Sequence, residues 1–125
     1  MAKKNELTIS TNKVALYDKL IATDPGIERK GDTNPYTSHN GHMFTHLTPE
    51  GVLAIRLPEK EREIFIKKYK TKLMESYGVI RKEYVVVPES LLKKTNELKP
   101  YPDISYSYIK TLKPRLTTKT KKVTL

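Results

Sequence analysis

The three histidines of the chain, His39, His42 and His46, fall within the stretch SHNGHMFTHL and surround an Asn40-Gly41 pair. Imidazoles grouped in this way raise the prospect of a metal or general-base site. Asn-Gly tolerates positive φ at both central positions of a type I′ turn, so the stretch reads as a β-hairpin with a two-residue loop. In such a hairpin His39 and His42 are directly opposed, and His46 repeats on the side of His42 by the period of two. All three are then expected on one sheet face. Two imidazoles across a strand pair hold zinc, copper or nickel only when a third or fourth ligand stands at about 2 Å. The carboxylates at hand are Asp32 and Glu50, in the flanking loops. The ligand set is incomplete, so His39, His42 and His46 are the metal candidates the sequence offers and no metal is assigned. The expectation is a hairpin with His39 and His42 exposed at its turn and His46 half-buried.

Other catalytic constellations are poorer. Ser38 and His39 are adjacent on a strand and point to opposite faces, which separates nucleophile from base. Gly31, Gly41, Gly51 and Gly78 each fall at a turn or cap, and none opens a phosphate-binding loop before a helix. Glu59, Glu61 and Glu63 interleave with lysines as a solvated helical face, not as a paired acid and base. With no cysteine in the chain, thiolate nucleophiles, disulfides and iron–sulfur ligation are excluded. The sequence therefore predicts a protein that is not an enzyme, with no catalytic residue and no cofactor.

The 125 residues carry a formal net charge of +10, which favours acidic or phosphate-rich partners. Much of the excess is local. The segment IKTLKPRLTTKTKKVTL holds Lys110, Lys113, Arg115, Lys119, Lys121 and Lys122 without an acid. These six are candidate phosphate contacts, with Tyr101, Tyr106 and Tyr108 as candidate stacking surfaces for a nucleic acid. The N-terminal segment lacks the apolar run of a secretory signal, and no stretch approaches the roughly 20 apolar residues of a membrane span. A soluble, cytoplasmic protein without a membrane partner is expected.

The elements that must position these groups are set by spacing. Val14, Leu16, Tyr17, Leu20 and Ile21 predict a helix over 12–23, stopped by Asp24-Pro25-Gly26. The hairpin and a strand at Val52–Leu57, reached through the turn Thr48–Gly51, form a three-strand meander. A second helix is predicted from Pro58, with Ile66, Tyr69, Leu73 and Tyr77 as its apolar stripe, Glu63 and Lys67 paired on its solvent side, and Gly78 as its cap. Tyr84–Val87 reads as a strand, and Pro88 opens a short helix to about Leu98. Lys99–Pro102 reads as an extended linker. In DISYSYIKTL, Ile104, Tyr106 and Tyr108 alternate as in a strand, whereas Ile104, Tyr108 and Leu112 fit a helix capped by Asp103; the helix is chosen.

Three stretches, NGHMFTHL at 40–47, GVLAIRLPEKER at 51–62 and GVIRKEYVVVPESLL at 78–92, together resemble the TfoX N-terminal domain family. The resemblance spans roughly residues 12–112 and rests on apolar and turn residues, so it implies a fold more than a reaction. It implies a two-layer α+β domain, one antiparallel sheet with helices on one face. The family takes its name from regulators of natural competence that carry a further C-terminal domain, whereas a lysine-rich tail stands here.

The resulting expectation is an α+β fold: a single antiparallel sheet, made of the meander and at least one further strand, with helices packed on one face. It has a flexible leader at 1–11, a TfoX N-terminal-like domain at 12–112 and a basic tail at 113–125. Met43 and Leu47 fall on one face of the hairpin by alternation and Phe44 on the other, so neither face is cleanly polar. A covered second face is therefore expected, hence an interaction or regulatory module that associates with a protein partner or a second copy. The alternative is nucleic-acid binding through the basic surface and tail.

Overall fold

A computed structural model describes residues 11–31, 34–76 and 78–114. Helix α1 (Thr11–Ile21) precedes strands β1 (Tyr36–His39), β2 (His42–Leu47) and β3 (Leu53–Arg56). Helix α2 (Glu59–Tyr69) leads to β4 (Leu73–Ser76) and β5 (Val79–Val87), and the short helices α3 (Glu89–Leu92) and α4 (Thr95–Leu98) lead to α5 (Pro100–Lys110). The five strands form one antiparallel sheet in the order β1-β2-β3-β5-β4. This is the α+β, two-layer architecture expected from the sequence.

The Asn40-Gly41 turn forms as expected, with φ of 52° and 83°, the pair of positive values that a type I′ turn demands. The strand beyond the turn is less regular. Thr37 pairs with Thr45 but Ser38 pairs with Met43, so Phe44 is an extra residue in β2. Such a bulge breaks the two-residue period and turns neighbouring side chains toward one face. Phe44, Thr45 and Leu47 are all buried, while Met43 is 38% exposed. Met43 does stand opposite Phe44 as expected, but the expectation that it shares a face with Leu47 is corrected, because Leu47 joins Phe44 on the buried side.

One hydrophobic core fills the space between the sheet and the helices. The rows Leu47–Leu53–Val87 and Ile55–Val85 face Tyr17, Leu20 and Ile21 of α1, Phe65 of α2, Leu91 and Leu92 of α3, Leu98 of α4 and Ile109 of α5. Within this core the Tyr17 hydroxyl and the Thr45 Oγ1 lie 2.7 Å apart, as do the Thr45 and Thr37 Oγ1 atoms. A chain of three hydroxyls satisfies polar groups that would otherwise be costly to bury. Burial pushes the Tyr17 phenol up to about 12, against the lowering effect of its threonine partners.

Several sequence expectations are corrected by the structure. Helix α2 ends at Tyr69, not near Tyr77. Lys70 adopts the left-handed conformation at φ 52°, and Ile66 O accepts N–H bonds from both Lys70 and Thr71. Glycine is the usual residue for such a cap, so a lysine there leaves no stop signal in the sequence. Leu73, which fits the helical stripe, instead pairs with Val85 in β4, held by the Val86 N–H to Lys72 O and Thr71 Oγ1 to Val86 O bonds. Gly78, with φ 76°, turns β4 into β5 and caps no helix. The segment Pro100–Pro102 is the first turn of α5, not a linker, because proline needs no N–H partner there. The helix after Pro88 is two separate turns, α3 and α4, divided at Lys93–Lys94. The Glu63–Lys67 pair is not among the ion pairs of the described residues, which are Lys13–Glu89, Asp18–Arg29 and Arg56–Glu83. No described helix is long and apolar enough to cross a membrane.

Candidate functional site

The bulge at Phe44 also divides the histidines. His39 stands edge-on to the Tyr106 ring of α5, with centroids 5.3 Å apart, and Tyr106 in turn stacks on Phe44 at 5.4 Å. His42 stays opposite His39 in the ladder, and its Nε2 lies 2.7 Å from the carbonyl oxygen of Lys113, just beyond α5. Its Nδ1 lies 3.4 Å from Arg56 Nη1. A guanidinium only donates, so Nδ1 accepts and Nε2 carries the proton given to Lys113 O. His46 pairs in the ladder with Ala54 and meets Tyr84 edge-on at 5.7 Å. His39 and His42 thus stay paired beside α5, half-buried and not exposed as the sequence predicts, and only His46 leaves the face expected to hold all three. No group of three or more His, Cys, Asp or Glu side chains among the described residues comes together as a metal site.

The charged cluster beside His42 is fully engaged. Arg56 Nε donates to Glu83 Oε1 at 2.5 Å, and the Tyr108 hydroxyl donates to Glu83 Oε2 at 3.0 Å. Partial burial raises the Glu83 carboxyl, but the bonds from Arg56 and Tyr108 outweigh it and leave the group below its ordinary range. The Ser105 hydroxyl donates to the main-chain oxygen of Arg56, which ties α5 to the end of β3. These contacts lock α5 to the sheet.

The other sheet face carries the row Tyr36–His46–Ala54–Val86 and, one step on, Arg56 opposite Tyr84. No described helix covers it. Two cavities open there, of about 520 and 640 Å³, and their walls share Met43, His46 and Met74. The smaller is cationic, with Arg56, Arg81 and Lys82 against the single acid Glu83. The larger is anionic, with Glu50 and Glu75 around Tyr36 and Pro49. Burial, with the nearby Arg81 charge second, lowers the His46 pKa and favours the neutral ring. Burial likewise raises the Tyr84 phenol, whose hydroxyl donates to Met43 O at 2.6 Å.

Of the nucleic-acid candidates, Lys110 places its ammonium 4.6 Å from the Tyr106 ring centre, and Lys113 offers its carbonyl to His42. Arg115, Lys119, Lys121 and Lys122 lie outside the described residues. The three tyrosines expected as stacking surfaces are occupied within the fold. Tyr101 packs on Phe65 at 4.8 Å, Tyr106 on Phe44, and Tyr108 bonds Glu83. The residues around the open face that sequence reasoning misses are Met74, Glu75, Ile80, Arg81 and Lys82. Gly78 between two runs of strand formers is the signal that finds them, once it is taken for a hairpin turn and not a helix cap.

Comparison of the chain with protein-family models, with curated proteins and with solved structures finds no match.

Proposed function

We propose that this protein is a non-enzymatic interaction module of the cytoplasm, a scaffold of the kind that the resemblance to the TfoX N-terminal domain implies, with a regulatory role exercised through protein association. The helix-free sheet face is its working surface. The observation that carries this reading is the exposure there of Met43 at 38% and Ile80 at 56%, at the walls of a cavity, in a fold whose other large side chains are mostly packed inside. Apolar side chains left on a concave surface with a polar rim are a common mark of a binding seat. The engagement of Glu83, Arg56 and His42 with one another and with α5 supports a structural role for the groups best suited to chemistry.

The test is recovery of bound partners from a cell lysate by the full chain and by Met43→Glu, at low and high salt, with and without nuclease. Proteins, a second copy of the chain included, should be recovered by the wild type, survive nuclease, and be lost with Met43→Glu. Recovery that ignores Met43→Glu counts against the reading.

A second reading, nucleic-acid binding, is favoured by Arg81 and Lys82 at the cationic cavity together with the basic C-terminal segment. It predicts recovery that nuclease abolishes and affinity that falls steeply with salt. Glu50 and Glu75 in the neighbouring cavity speak against a polyanion lying across the whole face.

A further inference from the structure

The helix-free face holds a projection and a recess of opposite charge. Ile80, near the start of β5 beside the β4–β5 turn, is 56% exposed at the wall of the smaller cavity, and the exposed Arg81 and Lys82 come directly after it. The larger cavity, of about 640 Å³, is lined by the apolar surfaces of Tyr36, Met43, Pro49 and Met74 and rimmed by Glu50 and Glu75. An apolar tip with a cationic flank and an apolar recess with an anionic rim are complementary in both hydropathy and charge. The tip adjoins its own chain's recess through β4, since Glu75 pairs with Ile80 in the ladder and also lines the recess.

A two-fold interface has just this requirement: if patch i of one copy meets patch j of the other, both patches must sit on one surface of the chain so that j meets i in return. We infer, resting on the reading of this face as an interaction surface, that its occupant is a second copy of the chain. Each copy seats Ile80 in the other's Glu50/Glu75 cavity. The net charge of +10 on each chain opposes association at long range, but a screening length of about 8 Å at physiological salt confines that repulsion. At contact the local signs decide. The acids sit where the partner's Arg81 and Lys82 arrive, so the juxtaposition suppresses wrong pairings and fixes the register of the pair. A polyanion meets the same cations but is repelled by the two glutamates next to them.

Sedimentation velocity of the full chain at tens of micromolar and physiological salt tests this with three variants. The wild type should sediment as a dimer, and Ile80→Asp as a monomer with at least about tenfold weaker association, the scale expected for a lost apolar anchor. The double variants Arg81→Glu/Lys82→Glu and Glu50→Lys/Glu75→Lys should each be monomeric alone, because tip and recess then carry the same sign. Mixed in equal amounts they should form a heterodimer, since each tip again meets a recess of opposite charge. That re-pairing requires both variants to be folded, so loss of structure cannot imitate it.

A wild type that stays monomeric, or a dimer indifferent to Ile80→Asp, overturns the inference. So does a monomer that instead co-sediments with a fluorescein-labelled oligo(dT) strand, which assigns the face to nucleic acid. If the wild type is monomeric yet a lysate protein is lost on Met43→Glu, the face remains an interaction surface and only the self-pairing fails. If neither experiment detects association, both readings fail together.

Discussion

The two faces of the sheet are made by the same strands, yet they differ in how completely they are finished. Under the helices, Phe44, Leu47, Leu53, Ile55, Val85 and Val87 join one closed core, and the hydroxyls of Tyr17, Thr45 and Thr37 satisfy each other. On the opposite face, Met43, His46, Arg56 and Tyr84 surround open cavities, and no described helix covers them. Met43 and Phe44 are adjacent in sequence and differ from 38% to 1% in exposure. The first face carries stability, because close-packed interiors penalise any change of volume. On the proposed reading the second carries whatever the protein binds, because its apolar groups gain by leaving water only when something else arrives.

Substitutions on either side of the sheet sharpen this contrast. Phe44→Ala should lower unfolding stability by about 3–5 kcal/mol in urea titration, since a buried aromatic leaves a cavity behind. A cost near that of a surface substitution would break the contrast. Tyr17→Phe should cost about 1 kcal/mol, the net worth of one hydrogen bond with the threonine pair left intact. Because the phenol is raised in the folded state, its contribution is present below the ordinary tyrosine range. It is lost as pH rises from about 10 toward 12, and Tyr17→Phe should remove that alkaline decline.

The open face has an acid-side signature instead. His46 has a lowered pKa in the fold, so the folded state holds fewer protons and stability falls as pH drops below about 6.5, the unfolded value. His46→Gln should flatten thermal stability between neutral pH and about 5. An unchanged slope would mean that the ring titrates freely. Glu83 acts lower on the scale. Its depressed carboxyl stabilises the fold above about 4.3 and loses that contribution as pH falls through its folded value, so Glu83→Gln should weaken the acid-side decline there. The smallest effect belongs to Met43→Ala, at about 0.5 kcal/mol or less in the same titration, as for an exposed side chain outside the core. A larger loss would place Met43 in the folding core and erase the difference between the faces.

Much of this plan is legible in residue order. The Asn40-Gly41 hairpin, the β-branched run at β3, the proline exits before α2 and α3 and the helical spacing of α1 are local signals, and each has a local physical cause. The errors have causes too. Lys70 closes α2 in a conformation usually given to glycine, so the stop leaves no mark and β4 reads as helix. The bulge at Phe44 adds one residue to β2, so counting in twos from His42 to His46 gives the wrong face. With those two features hidden, the β4–β5 hairpin and the larger part of the candidate site are hidden as well.

Residue order was enough to establish the class of the protein: an α+β chain without thiols, strongly basic, with a histidine hairpin too poor in carboxylates to read as a metal site. Periodicity and composition act over a few residues, and they decide such matters without reference to distant parts of the chain. Folding in three dimensions was needed to set which side of the sheet the helices would cover, which polar groups would be consumed by internal bonds, and which acids and bases would meet across the open face. Those outcomes depend on strand register, where a single extra residue moves every later side chain to the other surface.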